Sequence, residues 1–442
     1  ADRALMNYAK TPERTVIAGG WGPTIDPDLY LDNSSADLLV LGVHMQALET
    51  MGEIVDLLEG RINIDQTHGI AYRRRGEKVK TMRIFPPEAP ALDWKIGRYG
   101  LDVEEYKERG TLIVPVLGAI ASCPNYYGDG CLYCSIAKII QGYKGELKEG
   151  FVKLSERLRA FDVDRIMQDM ENALMELEAE RICFSFVDDA MTPKNFRKLY
   201  ETLLKEDLMD TIDSIKFQTR PDLAIGILRQ IKEKHRGKFI VDVGLEFYSQ
   251  RDLDFCRRNI TRKQMDAAIR ALKGFKQWKA YTILTTPVSS ALDVEENILL
   301  NLRCIEAGAL TSPNPCLQEP GSLLLDILSP ENLVYDSQGG VKLAKRFRLL
   351  NDHKNILAMI EKYKAMVKKK IEESAKEREE YLSSFKASAD ELQRMADRLE
   401  LDMRILGKAE SYQELLDSLT KLERIVQEDY EHYTKLKGTL IS

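Results

Sequence analysis

Residues 122–135 read Ser-Cys-Pro-Asn-Tyr-Tyr-Gly-Asp-Gly-Cys-Leu-Tyr-Cys-Ser, and this stretch decides the reading of the whole 442-residue chain. It places Cys123, Cys131 and Cys134 within twelve residues, with gaps of seven and two, on a turn rich in Gly, Asn and Asp. Three thiolates so spaced can converge on one metal centre. A structural zinc site is closed by a fourth protein ligand, and a four-cysteine iron–sulfur site needs one more thiolate. No fourth cysteine lies nearby in sequence. The trio therefore leaves one metal position open to bind and activate a small molecule, which points to catalysis. The competing reading is zinc held by three thiolates and a distant histidine.

Around this loop, from residue 111, strand-like and helix-like segments alternate. Strand candidates are Leu112–Leu117, Arg181–Val187, Ser214–Gln218, Phe239–Leu245, Ala280–Leu284 and roughly Ala309–Leu310. Helical periodicity covers Asp164–Glu178, Lys194–Leu208, Leu223–His235, Arg262–Lys276 and Glu295–Ala307. Such alternation predicts a parallel sheet with its helices outside, closed or partly closed like a barrel. Chemistry in parallel barrels sits at the C-terminal strand ends, and the cysteine loop follows the first strand. Upstream, residues 14–20 and 37–42 read as buried strands, the first ending in Gly19-Gly20, with a helix over Met45–Leu58. Residues 69–83 read as a β-hairpin and 85–93 as a Pro-rich linker. His68 reads as a turn histidine. Beyond residue 340, charged amphipathic segments predict three or four helices packing on the barrel, as a lid, a docking surface or a stabilising cap.

Composition bounds the function. The chain carries 44% hydrophobic residues and a net charge of −6, which argues against non-specific nucleic-acid binding. No apolar run is long enough for a membrane span, and residues 1–8 show no signal-peptide core, so a cytoplasmic location is expected. Three of the seven cysteines cluster, which suits a reducing compartment. Cys183, Cys256 and Cys304 read as small core residues. Cys316 lies in a strand-end loop, with either a ligand role or none. His44, His235, His353 and His432 form no cluster in sequence.

The cysteine loop resembles that of the radical SAM superfamily, most closely in Cys131-Leu-Tyr-Cys134 with Tyr133 before the last cysteine. Phe186-Val-Asp-Asp-Ala-Met-Thr192, Phe217-Gln-Thr-Arg-Pro-Asp-Leu223, Gly244-Leu-Glu-Phe-Tyr-Ser-Gln250, Tyr281-Thr-Ile-Leu-Thr-Thr-Pro287 and Pro315-Cys-Leu-Gln-Glu-Pro-Gly-Ser322 resemble later strand-end segments of the same superfamily. The stretch Val16-Ile-Ala-Gly-Gly-Trp-Gly-Pro-Thr24 resembles the cobalamin-binding domain found upstream in one branch, over about residues 1–60. The resemblance implies a (β/α)6 partial barrel over 111–335. A partial Rossmann-like cobalamin-binding domain over 1–68 and a hairpin and linker over 69–110 precede it, and a helical domain over 336–442 follows. It implies a 4Fe–4S cluster on Cys123, Cys131 and Cys134. S-adenosylmethionine (SAM) would lie near Tyr133, Asp188, Asp189, Arg220 and Glu246, and cobalamin near Gly19 and Gly20. SAM carries an amine, a carboxylate and a sulfonium, so a pocket with both carboxylates and an arginine suits it. The simpler readings are that Asp188 and Asp189 cap a helix, although Thr192 before Pro193 is a good cap itself, and that Arg220 is a structural ion pair.

The function so implied is a cobalamin-dependent radical SAM methyltransferase. It would use a 5′-deoxyadenosyl radical and methylcobalamin to methylate an unactivated carbon, in a protein side chain or a small molecule. An external donor such as ferredoxin or flavodoxin would supply electrons. The alternatives are a radical SAM enzyme that cyclises, rearranges or joins carbons without methyl transfer, and a non-catalytic three-cysteine metal scaffold.

Overall fold

The computed structural model describes residues 10–11, 14–20, 23–24, 27–42, 45–81, 112–116, 118–119, 121–147, 151–177, 181–187, 190–315, 322–324, 334–335, 341–342, 353–385, 388, 391 and 402–441. Residue contacts divide the chain into two units. The first comprises Ala1–Leu92, Tyr126–Arg157 and Gln318–Arg346; the second comprises Asp93–Asn125, Leu158–Leu317 and Phe347–Ser442.

In the first unit, β1 (Ile17–Ala18), α1 (Pro27–Asn33), β2 (Leu38–Val40) and α2 (Met45–Leu58) precede a hairpin of β3 (Ile70–Arg74) and β4 (Glu77–Lys80). The strands form one sheet in the order β1-β2-β3-β4, with β1 and β2 parallel and the rest antiparallel. The hairpin therefore extends the N-terminal sheet instead of standing apart from it. Side chains alternate across β2. Leu38 and Val40 pack with Ile54 of α2, while Leu39 and Leu41 pack with Leu31 of α1. Helices α3 (Ser135–Leu147) and α4 (Phe151–Leu158) follow the cysteine loop. His68 ends the turn before β3, with Nδ1 3.0 Å from Glu53 Oε1.

The second unit is built on six parallel strands. They are β5 (Leu112–Val116), β6 (Ile182–Phe186), β7 (Ser214–Thr219), β8 (Phe239–Glu246), β9 (Gln277–Ile283) and β10 (Leu310–Asn314). They lie side by side in sequence order, and every neighbouring pair is parallel. Between them run α5 (Val163–Leu177), α6 (Pro193–Lys205), α7 (Pro221–Leu228), α8 (Arg262–Leu272) and α9 (Ala291–Glu306). This is the expected strand–helix repeat, as an open sheet with its two edges at β5 and β10. The expected helix 223–235 is instead α7 followed by a separate 3-10 turn at Glu233–Lys238. Cys183, Cys256 and Cys304 are all buried, as expected of core residues. The Cys304 thiol is pushed up to about 12 by burial.

Helix α6 shows how the sequence seats a helix on this sheet. Thr192 accepts a hydrogen bond from Asn195 N–H at 3.2 Å, and Pro193 occupies the first turn. Phe196, Leu199, Tyr200 and Leu203 then face the sheet. The Phe196 ring lies 5.4 Å from Phe217 and 5.5 Å from Phe239, centroid to centroid. Two long helices, α10 (His353–Ser383) and α11 (Lys408–Ile441), complete the unit. Ser411 Oγ accepts from Thr311 N–H at 3.2 Å, and Ser418 Oγ donates to the Pro313 carbonyl at 2.7 Å. Helix α11 thus covers the open hydrogen-bonding edge of β10, as an edge strand requires. Truncating Phe196 to Ala should remove about 3–5 kcal/mol of stability, read as a lower denaturation midpoint of the full chain.

Candidate cofactor site

The loops after β5, β6, β7 and β8 are tied to one another. Ser122 Oγ accepts from Ala190 N–H at 3.0 Å, linking the cysteine loop to the loop after β6. Asn125 Nδ2 donates to the Arg257 carbonyl and Asn259 Nδ2 donates to Asn125 Oδ1, each at 3.1 Å. The residues flanking Arg258 are both left-handed, with φ of 53° at Arg257 and 51° at Asn259. Such backbone costs about 1–3 kcal/mol per residue and persists where surrounding contacts enforce it. Here it turns the Arg258 guanidinium towards the end of β8, where Nη2 donates to the Gly244 carbonyl and lies 3.6 Å from Glu246 Oε1. A Cβ on Gly244 would sit 2.7 Å from Glu246 Oε1, so glycine is needed for the carboxylate to fold back. Glu246 itself has φ of 61° at a break in the β8–β9 register.

Arg220 stands at the end of β7, 5% exposed. Its Nε and Nη2 donate to the two Asp222 carboxylate oxygens at 2.9 and 3.2 Å, and Nη2 also reaches the Arg258 carbonyl at 3.3 Å. Burial and the neighbouring Arg258 work against its charge, but Asp222, with a smaller contribution from Cys123, outweighs them and holds the guanidinium charged. Nη1 is buried with no hydrogen-bond partner among the described residues. A buried guanidinium N–H left over from its ion pair is a donor suited to a ligand carboxylate. The ion-pair reading of Arg220 is therefore correct and incomplete. Asp222, Arg258, Asn125 and Asn259 carry this arrangement and were not singled out by the sequence. Only the Arg-Pro-Asp spacing hinted at one of them.

In the first unit, the wide gap of the cysteine loop is folded into a compact turn. Gln141 of α3 donates to the carbonyls of Tyr126 and Gly128 at 3.0 and 2.7 Å. Gly130 has φ of 70°, and a Cβ there would lie 2.8 Å from that of Ala137. Cys134 N–H donates to the Cys131 carbonyl at 3.0 Å, and α3 begins at the next residue. Cys134 therefore sits at a helix N-terminus, whose partial positive charge favours an anionic ligand set. Cys131 and Tyr133 are buried, and Cys134 Sγ is 3.9 Å from Tyr126 Oη. Cys123 falls in the second unit. Among the described residues, no three His, Cys, Asp or Glu side chains gather closely enough to hold a metal ion on their own.

Gly19 and Gly20 follow β1. A Cβ on Gly19 would lie 3.3 Å from that of Val40, while one on Gly20, at φ of 97°, would meet no described residue within 4 Å. Thr24 Oγ1 lies 2.7 and 3.0 Å from the Gly20 and Gly42 carbonyls and accepts from Gly42 N–H at 2.9 Å. The turns ending two parallel strands are thus joined into one glycine-lined edge that admits close approach of a ligand. Thr24, within the quoted glycine stretch, was not singled out either. Asp188, Asp189, Cys316 and His44 lie outside the described residues.

Replacing Gly130 with Ala combines backbone strain of about 1–3 kcal/mol with the Ala137 clash. It should abolish most of the metal bound after anaerobic reconstitution, measured as iron and zinc per chain. Gly142→Ala, at an open position of α3, should keep the metal and serves as the control.

No family model matches the chain, and no curated protein does. Solved structures do. The cobalamin-dependent S-adenosylmethionine radical enzyme OxsB, with aqua-cobalamin and S-adenosylmethionine bound, is similar over 96% of this chain and 68% of its own, at 13% identity and a TM-score of 0.57. The radical S-adenosylmethionine methyltransferase TsrM from Kitasatospora setae, with tryptophan and a SAM analogue bound, is similar over 74% of this chain and 62% of its own, at 11% identity and a TM-score of 0.51. The fold of the chain is therefore similar to that of cobalamin-dependent radical SAM enzymes.

Proposed function

We propose that the chain is a cobalamin-dependent radical SAM methyltransferase acting on an unactivated carbon. The observation that carries this reading is the strand-end cluster in which Cys123, Arg220 and Glu246 are drawn together through Asn125 and Arg258. Cys123, Cys131 and Cys134 would hold a 4Fe–4S cluster, an anionic donor set with one iron left open. Arg220 Nη1 would meet the SAM carboxylate, and Glu246 would accept from its ribose hydroxyls. Tyr133, Asp188 and Asp189 are further candidates for its surroundings, and Gly19 and Gly20 for the cobalamin edge.

When bound, the cluster and SAM supply a 5′-deoxyadenosyl radical and cobalamin supplies a methyl carrier. The chain's own contribution is positional. Asp222 fixes the plane of the Arg220 guanidinium, Arg258 fixes Glu246, and burial of both arginines keeps water from their bonds. A ferredoxin- or flavodoxin-like donor would supply electrons. OxsB, matched over 96% of the chain, is named a radical enzyme and not a methyltransferase. That favours, as a second reading, radical chemistry without methyl transfer.

The protein should be reconstituted anaerobically with iron, sulfide and cobalamin, then supplied with reductant and SAM labelled in its methyl group. Mass spectrometry should find 5′-deoxyadenosine and a product carrying the label. Arg220→Lys, which cannot keep the two-pronged Asp222 bond, should weaken SAM binding about tenfold or more with iron content unchanged. SAM cleavage that needs no cobalamin and transfers no label would favour the second reading. Stoichiometric zinc without iron would reduce the protein to a metal scaffold.

A further inference from the structure

The two faces of the six-stranded sheet differ in chemistry. One face carries Phe217, Phe239 and Val241 under α6 and its neighbours, nearly free of solvent. The opposite face in most parallel barrels is filled with bulky branched side chains. Here it presents Lys216 and Gln218 of β7, Asp242 of β8, and Lys279 and Tyr281 of β9, and Gln218 and Lys279 each pair with Asp242 in register. Lys216 Nζ lies 3.2 Å from Asp242 Oδ2, and Tyr281 Oη donates to the same oxygen at 3.2 Å. Lys279 Nζ stands 5.1 Å from the Tyr281 ring centroid. The Lys216 side chain keeps 37% of its exposure while Asp242 keeps 7%, so a solvent-reached ammonium stands over a buried carboxylate. Tyr281 is pushed up to about 12 by burial and by Asp242, so its hydroxyl stays a donor.

The two ammonium groups on this face differ in how they are paired. Asp242 is matched by Lys216. Among the described residues, no carboxylate lies within ion-pair distance of Lys279. Glu414 of α11 also feels Lys279, which draws its carboxyl down while burial pushes it up. Covering this face with an apolar ligand would strip water from two ammonium groups and a carboxylate, at several kcal/mol each. A ligand that brings its own negative charge to Lys279 avoids that penalty.

We propose that Lys279, backed by Lys216 and Asp242, is a substrate subsite that takes the anionic group, carboxylate or phosphate, of a small hydrophilic molecule. As an assignment of substrate class this rests on the function proposed above, whereas the anion site itself rests on the sheet alone. It argues against a lipid or a macrocycle with an apolar face as the molecule acted on.

The test is isothermal titration of the full chain, before any reconstitution, with malonate and with inorganic phosphate as probes. The wild-type chain should bind at least one of them, and the tighter probe identifies the group as carboxylate or phosphate. Lys279→Met should weaken that binding about tenfold or more, Lys279→Arg should retain it, and Lys369→Met, at an exposed position of α10, should not change it. Absence of anion binding by the wild-type chain overturns the proposal, as does equal affinity in Lys279→Met. Loss of binding in Lys279→Arg as complete as in Lys279→Met also overturns it, because the lysine would then serve only the fold. Since the titration uses neither metal nor SAM, anion binding without SAM cleavage would refute the proposed function and leave the site standing.

Discussion

Two parallel strands cannot be joined by a tight turn. Each parallel pair needs a crossover long enough to carry the chain back along the sheet. Six parallel strands in sequence order therefore deliver every post-strand loop to one end. That constraint lets Ser122 and Asn125 after β5, an arginine after β7 and a glutamate after β8 be tied together, although more than a hundred residues separate the first from the last. Asn125, Asn259 and Arg258 turn this shared neighbourhood into fixed geometry, and left-handed backbone at Arg257, Asn259 and Glu246 is the strain accepted to do so.

The sheet separates stability from chemistry by face as well as by end. Phe196, Phe217 and Phe239 seal one side, while Asp242, Lys216 and Lys279 keep the other polar. Helix α11 joins both functions. Its Ser411 and Ser418 close the edge of β10, and Glu414 between them reaches the charges of the polar face. The C-terminal helices thus act at least as an edge cap.

Much of this was legible in the sequence, for specific reasons. The six strands were found because apolar runs alternated with helical periods, and Thr192-Pro193 announced the start of α6. The last strand was misread as roughly Ala309–Leu310 because Pro313 and Pro315 break the pattern. Pro313 is nonetheless tolerated, since β10 is an edge strand that lends its carbonyl to Ser418. The long-range partner of Arg220 was not legible. Arg258 is 38 residues away, and only the register of β7 and β8 brings it close. The polar face was hidden for a related reason. Lysine and aspartate inside short strands read as ordinary alternation until the sheet shows that all of them share one side.

The central proposal is that Cys123, Cys131 and Cys134 would hold an open-iron cluster that binds SAM. Electron paramagnetic resonance of the anaerobically reconstituted, reduced protein tests it most directly, recorded before and after addition of SAM. The account predicts the signal of a reduced 4Fe–4S cluster that changes on SAM addition in the wild-type chain and vanishes in the triple Cys→Ala variant. A cluster signal that ignores SAM, or one that survives loss of the three cysteines, would contradict it.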